Sequence, residues 1–287
     1  MTKDLEPGRR PGVPFAKMHG GGNDFIVVDN RKGAVPGGEA AAFARAVCRP
    51  HFGLGADGVV LIEEPGGEAD YRWRYINADG TDGDLCGNGA MCGARFAFEA
   101  GIAGAASALE TAAGTIRATV HGDGKTVTVQ MVDARIVGEG LSLSDDPAGT
   151  AFDRVVVGVP HVVAVTADAD AKADFHSWGR AVRYHGAVMP EGANVDLVHR
   201  IDGHTVRMRT WERGVEAETL ACGTGAVASA VVAERRGLVR QPVRVVTSGG
   251  RPITVEWTPA ADGATDVRMT GETTVVARGV IDPDALR

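Results

Sequence analysis

The sequence predicts an α+β fold of two structurally similar domains related by a pseudo-twofold axis, with an active site in the cleft between them. Three observations carry that prediction. A chain of 287 residues is long for one compact core, so two domains of ordinary size are the natural expectation. A pentapeptide occurs twice in nearly the same form, as Cys86-Gly87-Asn88-Gly89-Ala90 and Cys222-Gly223-Thr224-Gly225-Ala226. The surroundings of the two copies keep step: Gly114 follows Cys86 by 28 positions (86 to 114), and Gly250 follows Cys222 by 28 (222 to 250). Gly55-Ala56-Asp57 and Gly192-Ala193-Asn194 each precede a strand-like run in the same relative place. One such match is chance; several in the same order indicate two copies of one unit, which would bring both cysteine motifs to a shared cleft.

The elements follow in order. Residues 1–14 are polar and rich in Pro and Gly and read as a loose tail. Domain one is expected over residues 15–135. Phe25–Val28 reads as a strand, Glu39–Val47 as an alanine-rich helix, and Val59–Ile62 and Tyr71–Ile76 as strands. A turn at Asn77-Ala78-Asp79-Gly80 leads to the first cysteine motif and a helix over Ala90–Glu99. Strands Thr115–Val120 and Val127–Met131 flank His121-Gly122-Asp123-Gly124, which has hairpin turn chemistry. Gly138–Thr150 reads as loop or linker. Domain two, over 150–272, repeats the plan: a β-rich run Val155–Val165 broken at Pro160, a helix over Asp168–Val182 with Asp168 as cap, and strands Val195–Val198 and Thr205–Trp211. The second cysteine motif opens a helix over Ala226–Glu234, and strands follow at Val243–Val246, Ile253–Trp257 and Val267–Met269.

Composition narrows the function. The apolar fraction of 44% and charged fraction of 23% are those of a globular protein, and 40 glycines imply many turns and close backbone approaches. A net charge of −7 with no basic block argues against a nucleic-acid partner. No apolar run has membrane-spanning length, and no signal-peptide pattern opens the chain. Cys48, Cys86, Cys92 and Cys222 are too few for a disulfide scaffold, and without a CxxC pair a zinc ribbon has little support. The expectation is a cytoplasmic protein with free thiols and no metal.

A cysteine at a glycine-rich helix entrance lies where unsatisfied N–H groups and the helix dipole favour negative charge, so a lowered thiol pKa is expected there. Two such entrances suggest a pair of thiols: one, as thiolate, removes a proton from a substrate carbon, and the other, as thiol, delivers one to the opposite face. The outcome is inversion of a stereocentre. Backbone N–H groups at the helix N-termini would hold a substrate carboxylate and spread the carbanion's charge. Neither metal nor pyridoxal cofactor is required by such chemistry. A small-molecule substrate is the expected partner.

Six motifs, in this order, resemble the diaminopimelate epimerase family: Met18-His19-Gly20-Gly21-Gly22-Asn23-Asp24-Phe25, Asn77-Ala78-Asp79-Gly80, Cys86-Gly87-Asn88-Gly89-Ala90, Pro160-His161, Trp211-Glu212-Arg213-Gly214 and Ala221-Cys222-Gly223-Thr224-Gly225. The resemblance runs from about residue 15 to about residue 273. It implies cofactor-independent interconversion of L,L- and meso-diaminopimelate, for lysine and cell-wall precursor synthesis. It further implies that Cys86 and Cys222 exchange the roles of base and acid. Gly87 with Asn88, and Gly223 with Thr224, would present N–H groups to the reacting carboxylate. His161 and Glu212 would lie near the reacting amino group and the thiols. Asn23 would contact substrate, while Asn77, Asn194 and Arg213 would hold the distal amino-acid end, Arg213 by its bidentate fork. The last fifteen residues would return to domain one.

The sequence departs from the family pattern in four places. Val159 stands where an Asn commonly precedes the Pro-His pair, and a Gln often found near Gly58 is absent. The spacing between Glu212-Arg213 and Cys222 is one residue longer than usual, with Glu216-Ala217 in place of a Gly. A tyrosine associated with dimerisation is missing around Ala277, so a homodimer is compatible with the resemblance but not implied by these residues. Three other readings stand beside the epimerase: a proline or hydroxyproline racemase, which shares the thiol pair but needs no distal clamp; a redox sensor in which Cys86 and Cys222 form a reversible disulfide; and a non-catalytic small-molecule binder. Taken singly, Asn77 also fits plain turn chemistry, His161 a buried strand histidine, Glu212-Arg213 a solvated pair and Asn23 a left-handed loop position. Cys48 and Cys92 read as packing residues.

Overall fold

Apolar alternation and glycine punctuation divide the chain into seventeen strands and four α-helices in a computed structural model that describes residues 11–142, 150–170, 172 and 174–286. They form two compact units. The first comprises Met1–Gly20, Asp24–Val127 and Thr273–Arg287; the second comprises Gly21–Asn23 and Thr128–Glu272.

In the first unit the elements are β1 (Val13–Gly20), β2 (Asn23–Asp29), α1 (Ala40–Cys48), β3 (Gly58–Glu63), β4 (Tyr71–Asn77), β5 (Asp82–Gly83), α2 (Gly87–Glu99), β6 (Ala106–Thr111), β7 (Gly114–Val120) and the start of β8 (Thr126–Gln130). Strands β2 and β3 run parallel, β3 pairs antiparallel with β4, and β4 lies parallel to β6, which turns back into β7. Because successive side chains point to opposite faces, Ile26, Val28, Val59, Leu61 and Ile76 face one way and pack with Phe43 and Val47 of α1. Phe25, Ile62 and Trp73 face the other way, onto α2. Both faces are covered, which is why β3 is a continuous apolar run rather than an alternating one.

The second unit repeats this path with β9 (Ala134–Ser142), β10 (Ala151–Val157), β11 (Val159–Val165), α3 (Phe175–Arg183), β12 (Asn194–Arg200), β13 (Thr205–Glu212), β14 (Ala217–Thr219), α4 (Gly223–Arg235), β15 (Val243–Val246), β16 (Pro252–Ala260) and β17 (Gly263–Ile281), whose residues from Thr273 on belong to the first unit. Strands β11 and β12 are parallel, β12 and β13 antiparallel, β13 and β15 parallel, and β15 and β16 antiparallel. The sequence offset is constant: the partners Phe25 and Gly58 correspond to the partners His161 and Asn194, each 136 positions on, as Cys222 is from Cys86. One face of this sheet packs Val162, Val195, Leu197 and Trp211 against Phe175 and Val182 of α3. Helix α4 packs on β10 to β13.

Several expectations are corrected. Gly138–Ser142 is not loop: it continues β9 and pairs with β10, because a backbone ladder forms irrespective of the glycines' missing side chains. The rest of the stretch read as linker, 143–149, lies outside the described residues. The break in Val155–Val165 falls at Gly158 (φ 69°), where the chain reverses, while Pro160 sits within β11 opposite Val156. Helix α3 starts at Phe175; Asp168 instead accepts the Asp170 N–H in a tight turn. Strand β1 opens at Val13, inside the stretch expected to be tail, by pairing with Ile281 of β17. Strands β1 and β6 had no expectation at all, and β17 is 19 residues long where only Val267–Met269 read as strand.

Candidate active site

Each cysteine motif builds the same local device. Cys86 and Cys222 are the N-caps of α2 and α4, in nearly identical extended conformations (φ −129°, ψ 113° and φ −125°, ψ 113°). Each helix begins at the following glycine and runs 13 residues, three residues earlier than apolar character alone indicates. Gly-Asn-Gly and Gly-Thr-Gly keep the first turn free of bulk, and a helix N-terminus of this kind favours negative charge. Glycine serves packing as well: a Cβ on Gly93 would lie 2.7 Å from the Trp73 ring, and one on Gly89 would lie 3.2 Å from it.

In the first unit Cys86 is half-buried, and Gly87 and Asn88 are buried behind it. Asn77 ends β4; its amide nitrogen donates to Thr81 Oγ1 at 3.0 Å, closing the Asn-Ala-Asp-Gly turn. Cys48 and Cys92 are buried, and burial pushes the Cys48 thiol up to about 12 and the Cys92 thiol higher still.

The second unit brings together more of the expected residues. Gly21 and Gly22 lie against Ala221 and Leu220, the two residues before Cys222, and Asn23 follows them. Cys222 Sγ accepts the Gly225 N–H at 3.4 Å and lies 3.5 Å from Thr224 Oγ1. His161 on β11 is buried, with Nδ1 2.7 Å from Asp196 Oδ2 and Nε2 3.3 Å from the Asn194 amide nitrogen. Asn194 Oδ1 accepts the Arg213 N–H at 2.7 Å, and the Arg213 guanidinium donates to the Glu191 carbonyl at 3.1 Å. Glu212 is the last residue of β13, beside this turn.

The lowered pKa expected for a thiol at a helix entrance does not hold for Cys222. Burial pushes it well above its ordinary value, and the charges of Glu212 and Asp196 push it further; the Thr224 hydroxyl and Gly225 N–H oppose the shift without cancelling it. At rest Cys222 is a thiol. In the turn before Cys222, Glu216 takes the left-handed conformation (φ 56°) that favours glycine. Its carboxylate accepts the Gly214 N–H and pairs with Arg183.

Asp196 and Thr210 were missed in the sequence. Asp196 is fully buried, and its Oδ1 accepts the Thr210 hydroxyl at 2.7 Å. The signal was a carboxylate in the middle of the apolar strand run Val195–Val198, where charge is costly without a purpose.

A family model described as diaminopimelate epimerase matches residues 15–137 and 154–276. A relative from Aquifex aeolicus named diaminopimelate epimerase is 39% identical, over 96% of this chain and 99% of its own length. One of the same name from Archaeoglobus fulgidus is 40% identical, over 83% of this chain and 87% of its own. Among solved structures, a hydroxyproline epimerase from Agrobacterium vitis superposes with a TM-score of 0.73 at 19% identity, covering 96% of this chain and 94% of that one. A probable proline racemase from Agrobacterium radiobacter gives 0.72 at 19% identity, covering 96% and 95%. These two establish the fold alone.

Proposed function

The chain belongs to the diaminopimelate epimerase family, and on that premise we propose that it interconverts L,L- and meso-2,6-diaminopimelate without a cofactor, in lysine and cell-wall precursor synthesis. The observation that carries the reading is the pair of matched cysteine N-caps on glycine-opened helices.

In the direction that uses Cys222 as the acid, its raised pKa suits it to hold the proton it donates, and Cys86 would act as the thiolate base. Its sulfur takes the substrate α-proton; the electron pair of the broken C–H bond delocalises into the α-carboxylate. Cys222 then gives its S–H proton to the same carbon from the opposite side and is left as thiolate. The two thiols have exchanged states, so the reverse reaction starts from Cys222. N–H groups of Gly87, Asn88, Gly223 and Thr224 would hold the α-carboxylate, where helix N-termini stabilise added negative charge. His161 and Glu212 would lie near the reacting amino group. Asn23, Asn77, Asn194 and Arg213 would take the distal end; such a clamp suits a substrate with two amino-acid ends better than an imino acid. Asn77 would do this from a side chain already tied to Thr81 by its nitrogen.

The test is turnover of L,L-diaminopimelate in deuterated water, beside proline and 4-hydroxyproline. We expect deuterium at the α-carbon of diaminopimelate, and its loss in both Cys86→Ser and Cys222→Ser. Turnover of the imino acids only would overturn the substrate; incorporation that survives both substitutions would overturn the thiol pair. None of the described helices is long and apolar enough to cross a membrane. Four free cysteines support a reducing, cytoplasmic compartment for the enzyme.

A further inference from the structure

The hydrogen bonds around His161 have directions that can be worked out without seeing a hydrogen. The Arg213 backbone N–H can only donate, so the atom of Asn194 that receives it is its carbonyl oxygen. The other Asn194 atom, which faces His161 Nε2, is therefore the amide nitrogen, and it too can only donate. Nε2 must then accept with its lone pair, and the ring proton sits on Nδ1. That proton points at Asp196 Oδ2, 2.7 Å away. The second oxygen of Asp196 accepts from Thr210. From the Arg213 turn through Asn194 and His161, and from Thr210 on β13, each bond points to one buried carboxylate. Bonds aligned in one direction polarise one another, and the anion at their end fixes the sense of the whole chain.

We propose that Asp196 is a positioning residue for the reaction: it locks His161 in the Nδ1–H tautomer and, through it, orients the Asn194 amide and the turn that carries Arg213. The proposal rests on the diaminopimelate reading for what those residues then hold.

Two further observations support it. The corresponding position of the first unit, 136 residues earlier, is Val60, buried on the equivalent strand with no charge. The same strand path thus forms with an apolar side chain, so the fold does not need a carboxylate there. Burying one without a purpose is costly. Gly225 in the first turn of α4 leaves room for it, since a Cβ there would lie 2.8 Å from Asp196 Oδ1. The carboxylate thus sits beneath the helix entrance that carries Cys222, whose ionisation it opposes.

The decisive measurement is the ¹⁵N spectrum of histidine-labelled, ligand-free protein, with His161→Gln to assign the signal. We expect a protonated Nδ1 and an unprotonated Nε2. A proton on Nε2, or on both nitrogens, would overturn the proposal whatever the substrate proves to be, so this result is independent of the activity reading. In Asp196→Asn we expect the Nδ1–H population to fall and kcat/KM for L,L-diaminopimelate to drop on the order of 100-fold. A folded Asp196→Asn with an unchanged His161 spectrum and unchanged kcat/KM would also overturn it. If that variant does not fold, Thr210→Val, which keeps the carboxylate but removes its second donor, decides: the tautomer should persist while kcat/KM falls about 10-fold. An unchanged kcat/KM in Thr210→Val would then count against the proposal.

Discussion

A sulfur's chemistry at a helix entrance depends on what surrounds it as much as on the entrance itself. The Thr224 hydroxyl and the Gly225 N–H at the start of α4 pull the Cys222 pKa down, but burial and two carboxylates outweigh them. Removing one of those charges should partly reverse the shift. In a Cys86→Ser background, Glu212→Gln should move the pH midpoint of Cys222 alkylation to lower pH, because one negative charge no longer opposes the thiolate. A midpoint that rises or stays fixed would show that the Glu212 charge does not raise it. Gly225 is the second residue-scale test. In a helix interior Ala is normally favoured over Gly by roughly 1 kcal/mol. Here the added Cβ would press on Asp196 Oδ1 and lie 3.3 Å from Cys222 Sγ. Gly225→Ala should therefore lower kcat and give no gain in Tm, read by steady-state kinetics and calorimetry.

At the scale of elements, α2 shows how glycine spacing reads as packing. Gly89 and Gly93, one turn apart, let the Trp73 indole lie against the helix backbone, where its Nε1 donates to the Gly89 carbonyl at 3.3 Å. Gly93→Ala should destabilise by about 1–3 kcal/mol through overpacking, measured by urea unfolding. Gly122→Ala, with no atom near the added Cβ, is the control and should change stability little. Strand β14 is tied to β13 by the Arg209–Glu218 bidentate pair, which leads into Cys222. Burial raises the Glu218 pKa, but hydrogen bonds from Arg209 and Ser248 more than offset that and hold it below 4.5. Its contribution is therefore present above the unfolded value and is lost as pH falls through the lower, folded one. Glu218→Gln should be less stable than the wild type at pH 7, by roughly 1 kcal/mol for a partly exposed pair, and the difference should vanish at strongly acid pH. Most elements were legible because apolar periodicity reports burial. The exceptions had no such signal: Asp168 lost the cap of α3 to a local turn, and β6 is short, with only part of it buried.

Across the whole molecule, three buried thiols (Cys48, Cys92 and Cys222) have raised pKa values, set mainly by desolvation. The unfolded chain releases these protons near 9.0, the folded one only at higher pH, so ionisation favours unfolding above pH 9. The thiols' contribution should be constant below that value, and stability should then fall by up to about 1.4 kcal/mol per pH unit for each thiol, a slope that Cys48→Ala should reduce. Urea unfolding between pH 8 and pH 11 checks this; equal slopes in the two proteins would refute it. Strand β17 makes the same point for architecture. Residues Thr273–Ile281 pair with β1 at the far end of the chain, from Gly20 to Val13. The first part of β17 pairs with β16, its neighbour in sequence, but this last part finds its partner only across the length of the chain.

By itself the sequence determined the duplication, the constant spacing, the two cysteine entrances and the six motifs, because these depend on residue identity and distance along the chain. Only the tertiary structure decided that Cys222 rests as a thiol, that β1 and β17 meet, and that Asp196 ends a one-way line of hydrogen bonds through His161. Those follow from desolvation and from groups far apart in sequence, Thr210 on β13 and His161 on β11 among them, converging on one buried carboxylate.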